Sequence, residues 1–285
     1  MRVLITGGSG QLGAALQDTA PPDYAIEAID RSDLDLTDEV AVQEWILADR
    51  PDIVINAAAY SAVDKAETDE RLARKVNADA VWAMSLALAS TGGKLVQMST
   101  DFVFDGCSFT AYRPADRPNP LSVYGRTKAE GEVAAGNKAL IVRTSWLYSA
   151  GHPNFVRTML DLMRSREELG IVADQVGAPT WAPGLARAIW GLVREGAHGI
   201  WHHSDAGIAS WYDFAVAIQK EAIALGMLNR CIPIIPIASA DYPTAARRPA
   251  FSLLDCRETR ALLDDDYTHW REKLRIMLEE EKALG

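Results

Sequence analysis

The sequence predicts an α/β fold, a Rossmann-type doubly wound parallel sheet with a smaller C-terminal part. Apolar strands and helices alternate up to about residue 143, which is typical of a parallel sheet covered by helices on both faces. A glycine-rich turn follows the first strand. Ser99 and Thr100 follow the short apolar strand 95–98, at the end of the sheet where open α/β folds place their chemistry.

Composition narrows the class of protein before any motif is considered. The chain has 285 residues, a net charge of -10 and ordinary hydrophobic content. A strongly acidic chain disfavours nucleic acid or an anionic membrane as partner, because both require a basic surface. We expect reduced thiols and a cytoplasmic location, since the three cysteines are scattered and form no Cys-x-x-Cys pair. We also expect no signal peptide and no membrane span.

The first strand, 2–6, leads into a turn suited to phosphate groups. Its glycines have the spacing Gly-x-x-Gly-x-x-Gly, and an apolar helix follows over about 11–18. Such a turn lets the backbone approach a pyrophosphate at the positive end of the helix. A merely flexible loop is the alternative, but the strand before and the helix after favour a dinucleotide site. The predicted cofactor contacts here are Gly7, Gly10, Gln11, Leu12 and Gly13.

The second strand, 24–29, ends in two residues that give opposite signals about the cofactor. Asp30 suits the free ribose hydroxyls of NADH, and Arg31 suits the 2′-phosphate of NADPH. Both cofactors therefore stay open, and Arg31 as a plain loop charge is a further alternative. Asp35 and Leu36 are also expected to contact the cofactor, and Thr37 is the predicted N-cap of the next helix.

The third strand, 53–56, is followed by three small residues. The side chains of Ala57, Ala58 and Ala59 leave room for a flat ligand to lie against the backbone. Alanines at the start of a helix are the alternative explanation. A helix over about 69–89 and the strand 95–98 come next.

Tyr124 and Lys128 are spaced to share one face of a helix. An ammonium beside a phenol lowers the pKa of the phenol, which would suit Tyr124 to exchange a proton with a carbonyl or alcohol oxygen. Thr100 could bind the same oxygen. The spacing alone is common by chance, so a surface helix with an extended lysine is the alternative.

After 144–146 the regular alternation ends. The sequence predicts helices over about 154–164, 181–194 and 211–225, and strands over 169–172 and 200–203. We therefore divide the chain into a dinucleotide-binding domain, 1–147, with returning segments around 168–200, and a mainly substrate-binding part, 148–285.

Two other chemistries are disfavoured. His202 and His203 are adjacent in an extended segment and point to opposite faces, so we predict no metal site. Ser99 and Ser145 lack the strand–turn–helix context of a hydrolase nucleophile.

The glycine turn with Thr100, Tyr124 and Lys128 resembles the extended short-chain dehydrogenase/reductase family. Finer motifs resemble its dTDP-4-dehydrorhamnose reductase branch. They are the segments 59–67, 99–106, 143–146 and 174–180, together with Tyr242-Pro243-Thr244 and Arg248-Pro249.

This resemblance implies NADPH- or NADH-dependent reduction of the 4-keto group of a dTDP-6-deoxy-hexulose to dTDP-L-rhamnose. Lys128 would hold the nicotinamide ribose, Tyr124 would donate the proton, and Thr100 would bind the oxygen. The sugar nucleotide would be bound by Ser61, Val63, Thr100, Trp146 and Gln175, with the loop 175–180 closing on the diphosphate.

The sequence departs from the family pattern at three positions. Phe102 stands where many members have tyrosine, and Phe251 occupies a usually polar position. Ala15 stands where some members place a glutamate that helps to hold a dimer-bridging magnesium, so we predict no such bridge, and a monomer or homodimer. Two alternatives remain, a non-catalytic regulatory subunit resembling that of methionine adenosyltransferase and another sugar-nucleotide epimerase or dehydratase.

Overall fold

The computed structural model describes residues 1–265 and 267–285. The strands are β1 (Arg2–Thr6), β2 (Ala25–Ile29), β3 (Ile53–Asn56), β4 (Lys94–Thr100), β5 (Leu140–Thr144), β6 (Leu147–Tyr148), β7 (Leu169–Val172), β8 (Val176–Gly177), β9 (Thr180–Trp181), β10 (Gly199–His202), β11 (Ala209–Ser210) and β12 (Ile234–Ile237). The α-helices are α1 (Gln11–Asp18), α2 (Glu39–Asp49), α3 (Val63–Ala66), α4 (Glu70–Arg74), α5 (Ala80–Thr91), α6 (Val123–Ala135), α7 (Phe155–Ser165), α8 (Ala182–Arg194), α9 (Trp211–Ala224), α10 (Arg257–Leu263) and α11 (Trp270–Leu284).

Six parallel strands form the central sheet, in the order β10-β5-β4-β3-β1-β2. Strand β2 pairs with one edge of β1. Strand β3 pairs with the other edge, and β4, β5 and β10 follow it in that direction. Between β1 and β3 the order reverses, and such a point opens a crevice outside the carboxyl ends of the strands. The predicted doubly wound parallel sheet is confirmed.

Alternating strand residues bury both faces of this sheet. Val3 and Ile5 pack with α1 and α8 in one apolar cluster, and Leu4 packs with α2 and α5 in another. Both faces are therefore covered by helices, which is why the strands have apolar residues on both faces.

The second part has its own apolar core. Helices α7, α9 and α11 pack there with the parallel pair β7 and β12. Strand β7 pairs with β12 outside the central sheet, whereas α8 and β10 pack with the nucleotide half. The division of the chain at residue 147 stays a prediction. Within the described residues, no helix has the length and apolar character to span a bilayer.

Two local predictions differ from the structure. Asp38, not Thr37, is the N-cap of α2, and its carboxylate accepts from two backbone N–H groups. The helix predicted over 69–89 contains a π-helical turn, Lys75–Asp79. That turn carries the buried residue Asn77. Its side-chain oxygen accepts from the Tyr60 N–H, and its amide nitrogen donates to the Tyr60 carbonyl and to the Thr127 hydroxyl. These partners outside the helix satisfy the buried polar side chain.

A chain of buried hydrogen bonds crosses the carboxyl ends of β1, β3 and β4. Thr6 donates to Asn56 over 2.7 Å, and the Asn56 amide donates to Gln97 over 2.8 Å. The Gln97 amide in turn donates to the Met98 carbonyl over 2.8 Å. These bonds fix the ends of the three strands relative to one another.

One ion pair is buried between α6 and β5. The Arg143 guanidinium donates to both oxygens of Glu132 over 2.7 and 2.6 Å, and the Ser99 hydroxyl donates to Glu132 over 2.5 Å. The Arg143 side chain is fully buried and that of Glu132 is 5 % exposed. Removing one partner of such a pair leaves the other charge without compensation in a dry interior.

We therefore predict that Glu132→Ala lowers the free energy of unfolding by about 3–5 kcal/mol. Glu70→Ala is the matched control. Glu70 of α4 forms an exposed ion pair with Arg126 of α6, the helix that also carries Glu132, and an exposed pair contributes about 0–1 kcal/mol. Urea unfolding followed by far-UV circular dichroism measures both. Equal losses in the two variants would contradict the prediction.

Candidate active site

A cleft with a volume of about 890 Å³ opens at the carboxyl edge of β1, β3 and β4. It brings together residues that are up to 242 positions apart in sequence, from Thr6 to Arg248. The predicted site residues that line it are Gly7, Gly10, Gln11, Leu12, Asp30, Arg31, Asp35, Leu36, Ala57, Ala58, Ala59, Ser61, Val63, Thr100, Tyr124, Lys128 and Trp146.

Two of the predicted residues lie elsewhere. Gly13 is beneath the turn, where an added Cβ would stand 2.1 Å from the Gly7 carbonyl oxygen, so its role is close packing of α1 on β1. Gln175 is absent from the cleft lining, and its side-chain amide donates to the Ser239 hydroxyl over 3.0 Å. The prediction that Gln175 contacts the ligand is therefore not supported by its position.

The glycine turn forms a cradle that a side chain would fill. Gly7 has φ +71°, and an added Cβ would approach Ala58 to 3.0 Å. Helix α1 begins directly after Gly10, with no side chain capping its first N–H groups. Free N–H groups at the positive end of a helix fit a pyrophosphate, so this turn suits the dinucleotide cofactor that the sequence predicted.

Asp30 is hydrogen-bonded to the same turn. Both oxygens of its carboxylate accept from the Ser9 N–H at 3.1 Å. The carboxylate thus holds the turn in place and borders the cleft at the same time. Arg31 lies beside it, exposed, on the cleft wall, where its guanidinium is free to approach a 2′-phosphate.

Helix α6 positions Tyr124 and Lys128. Its N-cap is Ser122, whose hydroxyl accepts from the Gly125 N–H. Lys128 is buried and donates to the Met98 carbonyl over 2.7 Å, so the bond chain that begins at Thr6 ends at this ammonium. Burial lowers the pKa of Lys128 to about 8, against the opposing effect of Glu132.

The pKa of Tyr124 differs from the prediction. Burial raises it to about 12, and the negative charge of Asp101 adds to that effect, while a hydrogen bond with Thr100 opposes it. The expectation that Lys128 lowers this pKa is wrong for this structure, because desolvation of the buried phenol is the largest effect and raises the pKa instead. A phenol with a raised pKa stays protonated at neutral pH, which is the form that can donate a proton.

Trp146 has an unusual backbone and a stacked partner. Its φ is +48°, a conformation that costs a non-glycine residue free energy and is often found at functional sites. The indole stacks on Trp211 with ring centroids 3.7 Å apart and planes at 11°. The Trp146 indole also lies close to Gly177, where an added Cβ would stand 3.1 Å from the ring.

The sequence analysis missed Trp211 and the ion pair between Asp64 and Arg248. Trp211 also lines the cleft. The sequence pattern predicts only that it is the first residue of an apolar helix. Arg248 donates to Asp64 over 2.7 Å and joins the C-terminal segment to α3 across the cleft. Arg248 belongs to a motif quoted above, yet its partner is 184 residues away, so only the tertiary structure could identify the pair.

Across the described residues, no group of three or more His, Cys, Asp or Glu side chains is arranged to hold a metal ion. His202 and His203 are both buried, and they have different neighbours. The ring of His202 lies 3.1 Å from the Tyr112 carbonyl oxygen, whereas burial and the charge of Arg260 lower the pKa of His203 to about 3. Ala15 is buried in α1, and the absence of a magnesium-bridged dimer stays a prediction.

The stacked indoles generate a spectroscopic prediction. Two indoles this close should couple their transitions, so wild-type protein should show a strong near-ultraviolet circular dichroism signal. Trp211→Phe should remove most of that signal, and Trp82→Phe, at a position 56 % exposed on α5, should leave it nearly unchanged. A Trp211→Phe spectrum equal to that of the wild type would contradict the stacking.

Known proteins resemble this chain over nearly its whole length. The model of the family described as "RmlD substrate binding domain" matches residues 1–283. The dTDP-4-dehydrorhamnose reductase of Sinorhizobium fredii is 40 % identical, over 98 % of this chain and 97 % of that protein.

Two solved structures support the same relationship. The dTDP-4-dehydrorhamnose reductase ortholog of Clostridium acetobutylicum superposes with a TM-score of 0.91 and 38 % identity, covering 99 % of this chain and all of the other. The Bacillus anthracis dTDP-4-dehydrorhamnose reductase, solved in complex with NADP, has a TM-score of 0.90 and 37 % identity, covering 98 % of this chain and 99 % of the other. With the glycine cradle, Tyr124 and Lys128 gathered in one cleft, the chain belongs to the dTDP-4-dehydrorhamnose reductase family.

Proposed function

We propose that this protein reduces the 4-keto group of dTDP-4-dehydro-L-rhamnose to dTDP-L-rhamnose, using NADPH or NADH. The observation that carries the proposal is a single cleft in which the phosphate cradle meets Thr100, Tyr124 and an aromatic wall. The full-length similarity to dTDP-4-dehydrorhamnose reductases supports it, as does the NADP complex of the Bacillus anthracis relative.

The cofactor occupies the half of the cleft formed by the ends of β1, β2 and β3. When bound, it supplies the hydride for the carbonyl carbon. The turn 7–12 binds the pyrophosphate through backbone N–H groups, and the alanines 57–59 leave space for the nicotinamide half. Asp30 bonds the ribose hydroxyls of NADH, whereas Arg31 attracts the 2′-phosphate of NADPH.

Tyr124 donates the proton to the carbonyl oxygen as it is reduced. The raised pKa keeps the phenol protonated before the reaction, and the alkoxide that forms is the stronger base, so transfer is favourable. Because the Thr100 hydroxyl donates its one hydrogen to Asp101 over 3.0 Å, Thr100 positions Tyr124 and does not itself donate to the carbonyl oxygen. Lys128, one helical turn from Tyr124 on α6, bonds the nicotinamide ribose with its buried ammonium.

The sugar nucleotide occupies the other half of the cleft. Trp146 offers a flat apolar face to the 6-deoxy-hexose, and Ser61 and Val63 line the same cleft. Arg248 lines the cleft and contributes positive charge for the diphosphate. We further propose that the protein is cytoplasmic and acts as a monomer or homodimer.

A dehydratase is the enzyme alternative, and Phe102 argues against it. Sugar-nucleotide dehydratases need a second carboxylate beside Asp101 to remove a proton from carbon 5. The Phe102 ring packs edge-on against Tyr124, with centroids 5.7 Å apart, and an aromatic hydrocarbon cannot accept that proton. The protein should leave dTDP-glucose unchanged. A 4-keto-6-deoxy product formed without added reductant would favour the dehydratase.

The first prediction for the proposed reaction concerns the proton donor. Tyr124→Phe should lower kcat about 100-fold or more, as loss of a general acid does, and NADPH binding should persist. Tyr24→Phe is the control, because Tyr24 packs on Trp190 away from the cleft. NADPH oxidation with the 4-keto sugar measures turnover, and cofactor fluorescence measures binding. Near-normal turnover in Tyr124→Phe would refute the role of this residue, and a wild type that oxidises neither cofactor would favour the non-catalytic alternative.

The second prediction concerns cofactor choice. Arg31→Ala should raise the KM for NADPH about tenfold or more, because a hydrogen bond to a charged group contributes about 1.5–3 kcal/mol. The KM for NADH should change little. Arg164→Ala removes a similarly exposed guanidinium from α7 and should alter neither value. Equal changes for the two cofactors would exclude a contact between Arg31 and the 2′-phosphate.

A further inference from the structure

Ser252 is a buried serine of the C-terminal segment, 3 % exposed, and lies outside the motifs quoted for the family. Its backbone is fixed against β8, because the Ser252 N–H donates to the Val176 carbonyl over 2.8 Å and the Val176 N–H donates to the Ala250 carbonyl over 2.8 Å. The position of the side chain is therefore set by backbone bonds on both sides.

The Ser252 hydroxyl donates to one oxygen of the Asp101 carboxylate over 2.5 Å. The other oxygen of Asp101 accepts from the Thr100 hydroxyl over 3.0 Å. Asp101 is 2 % exposed, so these hydroxyls replace water as its hydrogen-bond donors. A carboxylate held on both oxygens has one orientation, and that orientation fixes the Thr100 hydroxyl.

Tyr124 stands at the end of this array. It lines the same cleft as Thr100, and both Thr100 and the negative charge of Asp101 act on the pKa of its phenol. Tyr124 is thus the titratable group that faces Asp101 from α6. Lys128 of the same helix donates to Met98, and Arg248 of the C-terminal segment is paired with Asp64, so both nearby cations are bound to other groups.

We propose that Ser252 is a positioning residue for proton donation by Tyr124, because its hydroxyl holds the Asp101 carboxylate that fixes Thr100 beside the phenol. This inference rests on the proposed reductase function. Ser252 is not among the residues that line the cleft. It acts through Asp101 and joins the C-terminal segment to the end of β4.

The charge of Asp101 gives this array a pH dependence. Burial raises the pKa of Asp101 to about 6, and the hydrogen bonds from Ser252 and Thr100 oppose that rise. Below that pH the carboxyl group is protonated. A neutral carboxyl group accepts less strongly from the two hydroxyls, so Thr100 loses its fixed orientation. Activity should therefore depend on ionised Asp101 and fall on the acid side.

The test is the pH profile of kcat for NADPH-dependent reduction of the 4-keto sugar. Ser252→Ala removes one donor to a carboxylate, so the acid limb should move upward by about one pH unit, and kcat should fall about tenfold at pH 5 and about twofold at pH 7. The KM for NADPH should stay within about twofold, because the cofactor half of the cleft is untouched. Ser252→Thr, which keeps the hydroxyl, should retain the wild-type limb.

Two further variants keep the result interpretable. Ser204→Ala removes the hydroxyl of a buried serine whose side chain lies against Cys256, 3.5 Å away, and should leave the profile unchanged. Asp101→Asn leaves Ser252 unchanged and removes the titrating carboxyl group, so it should abolish the acid limb.

The outcomes separate this inference from the proposed function. A wild type without reductase activity on the 4-keto sugar refutes the proposed function. An active wild type whose acid limb persists in Asp101→Asn, or does not move in Ser252→Ala, refutes the role of Ser252. A uniform loss of kcat in Ser252→Ala with an unshifted limb would mean that Ser252 is only structural.

Discussion

The site depends on the hydrogen bonds that join the polar ends of β1, β3 and β4. Thr6, Asn56 and Gln97 lie at neighbouring strand ends and bond one another in sequence. The chain continues through the Met98 carbonyl to the Lys128 ammonium. Since each group is buried, a missing partner would leave a polar atom unsatisfied at a cost of about 1–3 kcal/mol. The phosphate turn after Thr6 and the lysine on α6 are therefore held in one rigid frame.

Burial also sets the chemistry of that frame. The interior around α6 is dry enough to raise the pKa of Tyr124 and lower that of Lys128. Glu132 lies one turn after Lys128 and opposes the shift of the ammonium, although its own carboxylate is already committed to Arg143. The result is a protonated phenol beside a lysine with a lowered pKa, an arrangement that suits proton donation to a carbonyl oxygen.

The second part contributes contacts that the nucleotide half cannot supply. Trp211 supports the Trp146 indole from α9, Arg248 closes the cleft onto α3 through Asp64, and Ser252 reaches the catalytic strand through Asp101. All three come from beyond residue 147, so the two parts form the site together. This explains why the second part packs directly on the first without a long linker.

The sequence alone determined the fold class, the phosphate turn and the shared face of Tyr124 and Lys128, because these follow from local patterns. Strand period, glycine spacing and a four-residue helical repeat each act over a few neighbouring residues. The tertiary structure decided what depends on distant residues. The pKa of Tyr124 is set by burial, the side chain of Gln175 is directed to Ser239, and Ser252 meets Asp101 across 151 positions of sequence. No local pattern encodes desolvation or a partner so far along the chain.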